Sequence, residues 1–458
     1  MKSELITSAL NSLDTAIPTL GEAKIPSPLK ISSQSKGHST GGYTDIFVRD
    51  SDRIISLIKI DQVMHYMENG LEIPSFELAG PREKIYFDPS KLKCAIVTCG
   101  GLCPGLNDII RSVVLELHHC YGVRNIYGIK YGLQGFIPEY AHDLVELTPG
   151  AVSNILGMGG TILGSSRGTQ DIGGVVDCLE RMNIGILFMV GGDGTLMAAN
   201  RIADEINERR LKISVVVIPK TIDNDIFLVS KTFGFDTAVD IATNAIKGAH
   251  NEAEGYPYGI GLIKLMGRHA GFLAATAALA QQDANFVLIP EIEIDLHGEG
   301  GFLAALEKRL IARKHAVVVV AEGAGQKFFS DQKVEYDPSG NIKLKDIGVF
   351  LKNEITEWFK GKNMEITLKY IDPSYMIRSL PANSNDSVFC GFLGRDAVHA
   401  GMAGKTKLLI SHWNNNYVHI PMEASSGKRK NVNPKGKLWQ SVLEATGQGR
   451  LVNDPGQG

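Results

Sequence analysis

Residues 186–190 (Ile-Leu-Phe-Met-Val) read as a short buried strand, and they run directly into Gly191-Gly192-Asp193-Gly194-Thr195, after which apolar residues recur at helical spacing as far as Ile206. A strand that becomes a helix through Gly-Gly-Asp-Gly leaves several backbone N–H groups unpaired at the positive end of the helix dipole. That is a ready anion site. The glycines admit φ > 0 and let phosphate oxygens approach the backbone. Asp193 then puts a carboxylate beside those phosphates, a repulsion that an intervening cation relieves, so the pattern points to Mg²⁺ at Asp193. The competing reading is a tight turn whose Asp only caps the helix. The rest of the chain has to decide.

A chain of 458 residues is too long for one ordinary core, so two α/β units with extensions are expected. Hydrophobic content of 44% with 21% charged residues is globular, and a formal net charge of -3 argues against a nucleic-acid surface. Cys94, Cys99, Cys103, Cys120, Cys178 and Cys390 form no CxxC pair and have no histidine partner at zinc spacing, which suits reduced thiols. No apolar run approaches the roughly 20 residues of a membrane span, and the first residues mix acids and serines unlike a signal or transit peptide. A cytoplasmic protein is expected.

In chain order, residues 1–43 end in a Ser/Gly-rich stretch and read as an arm, with apolar content suited to embracing a neighbouring subunit. Residues 45–89 show no clear repeat and read as a small preceding unit. A strand at 93–98 and a helix at 106–120 flank Gly100-Gly101-Leu102-Cys103-Pro104-Gly105-Leu106-Asn107, a glycine turn where open parallel sheets bind nucleotides. It is neither GxGxxG nor a Walker loop. Gly164-Ser165-Ser166-Arg167 closes a second glycine-rich loop on one arginine. A strand at 213–218 runs into Pro219-Lys220-Thr221-Ile222-Asp223-Asn224-Asp225, two carboxylates and a lysine at a strand's C-terminal end.

The second half repeats the alternation, with helices near 237–253, 270–281, 303–313 and 345–359 and strands at 259–265, 286–289 and 316–321. Its strands end in polar or glycine clusters, among them Met266-Gly267-Arg268-His269-Ala270-Gly271, Glu322-Gly323-Ala324-Gly325-Gln326 and Tyr370-Ile371-Asp372-Pro373-Ser374-Tyr375-Met376-Ile377-Arg378. Basic and hydroxyl groups at several strand ends suit an anionic sugar better than a hydrophobic ligand.

Taken together, GGxxPGxN, GSSR, GGDGT, PKTIDND, MGRxAG, EGAGQ and YIDPSYMIR resemble the ATP-dependent 6-phosphofructokinases from about residue 94 to 378, in particular the longer-chain branch related to the pyrophosphate-using enzymes. GGDGT alone is shared with NAD kinases and lipid kinases; PKTIDND and MGRHAG, which those lack, separate them. The resemblance implies two Rossmann-like three-layer α/β lobes with mainly parallel sheets, an active site in the cleft between them, and an N-terminal extension. The boundaries expected are 1–93 for the extension and preceding unit, 94–235 for the nucleotide lobe with part of 379–458, 236–378 for the sugar-phosphate lobe, and 379–458 for a segment returning over both.

The family's roles fall on matching residues. Asp223 resembles the base that takes the proton of the sugar 1-hydroxyl. Asp193, with Asp225 behind it, resembles the Mg²⁺ site; Gly100, Gly101, Gly192, Gly194 and Thr195 would hold the nucleotide phosphates. Arg167 would offset charge on the transferred group and Thr221 would hydrogen-bond it. Met266, Gly267, Arg268 and Glu322 resemble the sugar side, and Lys369, Tyr375 and Arg378 fall at positions that bind the 6-phosphate. Fructose 6-phosphate and ATP are the implied substrates, and ligands shared between subunits imply a homotetramer.

Gly259 and Leu115 stand where the short bacterial enzymes carry arginines, so the intersubunit phosphate contact must differ and their effector site is not carried over. In pyrophosphate users Gly194 is replaced by an aspartate that crowds the nucleotide's α-phosphate. Lys220 is a residue those same enzymes use, yet it can serve either donor, so ATP is favoured. The rivals are a pyrophosphate-dependent enzyme, another GGDGT kinase, and a non-catalytic regulatory relative, which would have lost Asp223, Asp193 or Arg167. After Lys405 only the run 428–430 stands out, as a basic edge.

Overall fold

Strands β5 (Lys93–Thr98), β8 (Ile186–Gly191) and β9 (Ser214–Pro219) are nearly continuous apolar runs because both of their faces are covered, and they pair in parallel in the order β9-β8-β5. The computed structural model describes residues 14–29, 47–168, 170–336 and 342–453. These divide into two compact units. The first is drawn from Met1–Thr221, Ile226–Phe233 and Pro381–Arg429, the second from Ile222–Asp225, Gly234–Leu380 and Lys430–Gly458.

Among the described residues of the first unit the sheet grows to nine strands, in the order β2-β3-β15-β14-β9-β8-β5-β6-β7. The added members are β2 (Arg53–Ile55), β3 (Ser75–Leu78), β6 (Asn125–Ile129), β7 (Leu144–Glu146), β14 (Leu408–Trp413) and β15 (Asn416–Pro421). Of the stretch 45–89, the described residues 47–89 are therefore not a separate preceding unit: β2 and β3 extend the sheet beyond the β14–β15 hairpin, whose turn places Asn414 and Asn415 at φ 47 and 61. Glu77 locks this edge, accepting from Arg82 at 2.7 Å and meeting Lys405 and His419 each at 2.9 Å. Burial opposes its ionisation, but the bonds from His419 and Lys405 prevail and hold its carboxyl at about 2.

The arm expected at 1–43 lies outside the described residues except for 14–29. There β1 (Ile25–Pro26) pairs with β4 (Lys84–Ile85), and Leu20 donates to the Gly404 carbonyl, so this part is tied to its own unit. The helix expected at 106–120 is α-helical only over Leu106–Leu115 and continues as π-helix over Glu116–Tyr121.

The second unit carries a four-stranded parallel sheet, β11-β12-β10-β13, formed by β10 (Gly259–Leu265), β11 (Phe286–Leu288), β12 (His315–Ala321) and β13 (Thr367–Ile371). Its apolar interior joins Leu262 and Val318 to Phe302, Leu306, Leu351 and Phe359 of the crossover helices. Each unit is thus an α/β layer structure whose central strands all point the same way, and loops after adjacent strands collect at one sheet edge.

Candidate active site

In the first unit the turns after β5, β8 and β9 are neighbours by construction. Cys99 donates to the Val190 carbonyl and Lys220 to the Gly191 carbonyl, each at 2.9 Å, so three loops are held edge to edge. The helix Asp193–Glu208 starts at Gly192 with no side-chain cap, and the Thr195 amide turns back to the Gly192 carbonyl at 2.9 Å, so the amides just before Thr195 are the ones offered to an anion. Asp193 is the first helical residue and does not cap the helix. Gly191 is required by packing, since a Cβ there would meet Thr195 Oγ1 at 2.1 Å. At Gly194 a Cβ would meet nothing within 4 Å.

Gly100 donates to the Ser166 carbonyl at 3.1 Å and accepts from Ser165 Oγ at 2.6 Å, which fixes the exposed Arg167 beside the glycine turn. Buried Lys220 sends its ammonium to the Gly101 carbonyl at 2.6 Å, bracing that turn from below. Thr221 accepts from Thr232 Oγ1 at 2.7 Å through its carbonyl.

Sequence reasoning missed the partners of Asp193. The Gly427 amide lies 3.4 Å from its Oδ1 and Arg429 Nη2 lies 3.5 Å from its Oδ2, so the segment read only as a basic edge delivers a guanidinium to the GGDGT carboxylate. The signal was the run Lys428-Arg429-Lys430 following Ser-Ser-Gly.

In the second unit Asp223 and Asp225 flank Asn224, held at φ 52. Lys430 clamps this loop. Its amide donates to the Asp225 carbonyl at 2.8 Å and its ammonium to Asn224 Oδ1 at 3.0 Å, over the Phe272 ring. Burial pushes the Lys430 amine down to about 7 against the pull of Asp225.

Met266, Gly267 and Arg268 follow β10, Glu322 follows β12, and Asp372 to Arg378 follow β13, so they share the C-terminal edge of one sheet. The Glu322 amide donates to the Leu265 carbonyl at 2.9 Å and Gly323 to that of Gly267 at 3.1 Å. Burial raises the Glu322 carboxyl, while Lys264, Arg268 and Arg378 pull it back. The Arg268 guanidinium also donates to the Ile342 carbonyl. Lys369 lies over the Tyr256 ring at 5.3 Å, and Arg378 stacks 5.1 Å from the ring of Tyr375, which is 77% exposed.

Beneath them Lys264 lies 2.9 Å from both Asp346 and Asp372. Despite the opposing effect of burial, the two carboxylates hold its ammonium charged. A lone lysine in an otherwise apolar strand was the unread signal for this anchor. The edge offers cations, a carboxylate and an exposed phenol, the donor set for a polyhydroxylated anion.

Residues 93–401 match the family model Phosphofructokinase. An "ATP-dependent 6-phosphofructokinase" of Borreliella burgdorferi is 51% identical over 95% of this chain and 97% of its own. One of Amycolatopsis methanolica is 44% identical over 95% of each. Among solved structures, a pyrophosphate-dependent phosphofructokinase from Marinobacter aquaeolei superposes with a TM-score of 0.64 at 20% identity, covering 78% of this chain and 92% of that one, a likeness of fold. With the family model matched along most of its length and relatives matched over 95% of it, the chain belongs to the phosphofructokinase family.

Proposed function

We propose that this chain is a glycolytic kinase that transfers the γ-phosphoryl group of ATP to the 1-hydroxyl of fructose 6-phosphate, yielding fructose 1,6-bisphosphate and ADP. The observation that carries the reading is the open Gly194 position in an uncapped helix-start turn, in a chain 51% identical to a relative named for ATP. That turn leaves room for a nucleotide where a second carboxylate would crowd it.

Asp223 removes the hydroxyl proton as the new O–P bond forms, a step typically worth about 10²- to 10⁴-fold. Arg167 offsets charge on the transferring group and Thr221 bonds it. Gly100, Gly101 and the 191–195 turn hold the nucleotide phosphates, with Lys220 keeping Gly101 in place. Met266, Gly267, Arg268 and Glu322 orient the sugar, and Lys369, Tyr375 and Arg378 hold its 6-phosphate.

Asp193 fits a magnesium ligand. Its carboxylate is partly exposed, its oxygens are only loosely engaged at 3.4 and 3.5 Å, and Mg²⁺ in such sites needs one or two carboxylates besides phosphate and water. When bound, Mg²⁺ would neutralise charge on the β- and γ-phosphates. We further propose a cytoplasmic homo-oligomer, a tetramer by family resemblance; no helix among the described residues is long and apolar enough to cross a membrane.

The acceptor tests the reading. With MgATP, fructose 6-phosphate should give fructose 1,6-bisphosphate in an aldolase-coupled assay, whereas NAD and diacylglycerol should not be phosphorylated. Turnover of NAD or lipid without turnover of the sugar phosphate would overturn it.

A further inference from the structure

At the edge of the second unit's sheet opposite Glu322 stands a cluster that the phosphoryl-transfer chemistry does not use. His250 and Glu254 occupy one face of the helix Phe235–Glu254 at i and i+4. His315, the first residue of β12, meets them from the sheet. His250 Nε2 lies 3.5 Å from Glu254 Oε2, and His315 Nε2 lies 4.0 Å from Glu254 Oε1. The two imidazole centroids are 5.3 Å apart, and one ligand atom from each of the three residues falls within 4.8 Å of the others. Glu322 follows the far end of this seven-residue strand, roughly 20 Å away at the usual rise.

We propose that His250, Glu254 and His315 form a zinc-type divalent metal site that staples the C-terminal end of the helix to the start of β12. Two imidazoles and a carboxylate are a borderline donor set that suits Zn²⁺ or Co²⁺ over Mg²⁺. Three protein ligands leave the fourth tetrahedral position to water. At metal bonds of about 2.0–2.1 Å, tetrahedral ligand atoms stand roughly 3.3 Å apart, so the triad, with its ligand atoms within 4.8 Å of one another, needs a contraction of up to about 1.5 Å at its widest.

A second observation favours a cation here. Glu254 is the last residue of its helix, where the dipole already disfavours a carboxylate, and a bound cation would offset that. Two features limit affinity. His250 Nδ1 is buried without a hydrogen-bond partner among the described residues, so that ring lacks the outer support metal-bound histidines usually have. Arg309, whose Nε donates to the His315 carbonyl at 3.4 Å, adds a nearby positive charge. Both weaken binding, the missing outer support by about 10- to 100-fold relative to a fully supported site.

The test uses the full-length protein stripped with a chelator and returned to Mg²⁺ buffer, then titrated with Co²⁺ and with Zn²⁺. One equivalent of Co²⁺ should give the intense visible absorption of tetrahedral coordination, and Zn²⁺ should displace it and raise the melting temperature. His250→Asn and His315→Asn should each weaken binding at least tenfold. A His118→Asn/His119→Asn variant, which removes an adjacent imidazole pair elsewhere in the chain, should bind as the parent does. Should His315→Asn fail to fold, Glu254→Gln makes the same comparison, since that side chain is 54% exposed. Absence of binding, or binding that survives loss of His250 and Glu254, overturns the proposal.

Discussion

Arg429 places its guanidinium 3.5 Å from the carboxylate of Asp193, although the two are more than two hundred residues apart in the chain. With side chains 37% and 24% exposed, the pair is too solvated to matter much for stability. It does put a fixed cation beside the turn where phosphates are expected. Arg429→Ala should leave the melting temperature nearly unchanged. It should lower kcat/KM for ATP by roughly tenfold to a hundredfold, the loss expected from removing about 1.5–3 kcal/mol of charge-assisted bonding. Unchanged ATP kinetics would show that the contact is incidental.

Gly194→Asp separates donor choice from folding. The side chain enters open space and adds a carboxylate in a helix's first turn, where the dipole favours it, so thermal stability should hold or rise slightly. ATP-dependent turnover should fall by at least two orders of magnitude if the new carboxylate crowds the α-phosphate, as roughly 3 kcal/mol of lost binding implies. Parent-like ATP kinetics would remove Gly194 from the account.

Asp223→Asn keeps the size of the side chain and removes its basicity. The expected result is a kcat lower by about 10²- to 10⁴-fold with little change in KM for the sugar phosphate. A change confined to KM would make Asp223 a binding group.

Lys430 gives the protein a pH signature. Its amine is displaced by burial from 10.5 to about 7, so between those values the unfolded chain binds more protons than the folded one. Stability should therefore rise with pH across that window and be lost as pH falls through about 7, with a slope of at most about 1.4 kcal/mol per pH unit from this group. Melting temperatures from pH 7 to 10 should show the rise in the parent and a flatter profile in Lys430→Met. Superimposable profiles would contradict the assignment.

The parts of this fold legible in the sequence are those with strong local physics. Strands β5, β8, β9, β10 and β12 are long apolar runs buried on both faces, and each ends in glycine or polar residues that announce a turn. Strands β2 and β3 were not legible. Each has at most four residues and lies at or near an edge, and tertiary pairing with β15 rather than any local repeat makes them strands. The π-helical continuation at Glu116 has no side-chain pattern to distinguish it from α-helix.

Within the candidate site, positions at strand ends could be read from motif and order. Arg429 and Lys430 could not, because a short basic run looks like a solvated edge until the chain's return brings it to Asp193 and Asn224.

The central claim is best tested by following fructose 1,6-bisphosphate formation from fructose 6-phosphate and Mg²⁺ with either ATP or pyrophosphate as sole donor. The account predicts turnover with ATP and none with pyrophosphate. Turnover with pyrophosphate alone would contradict it, showing that an open Gly194 does not set donor choice.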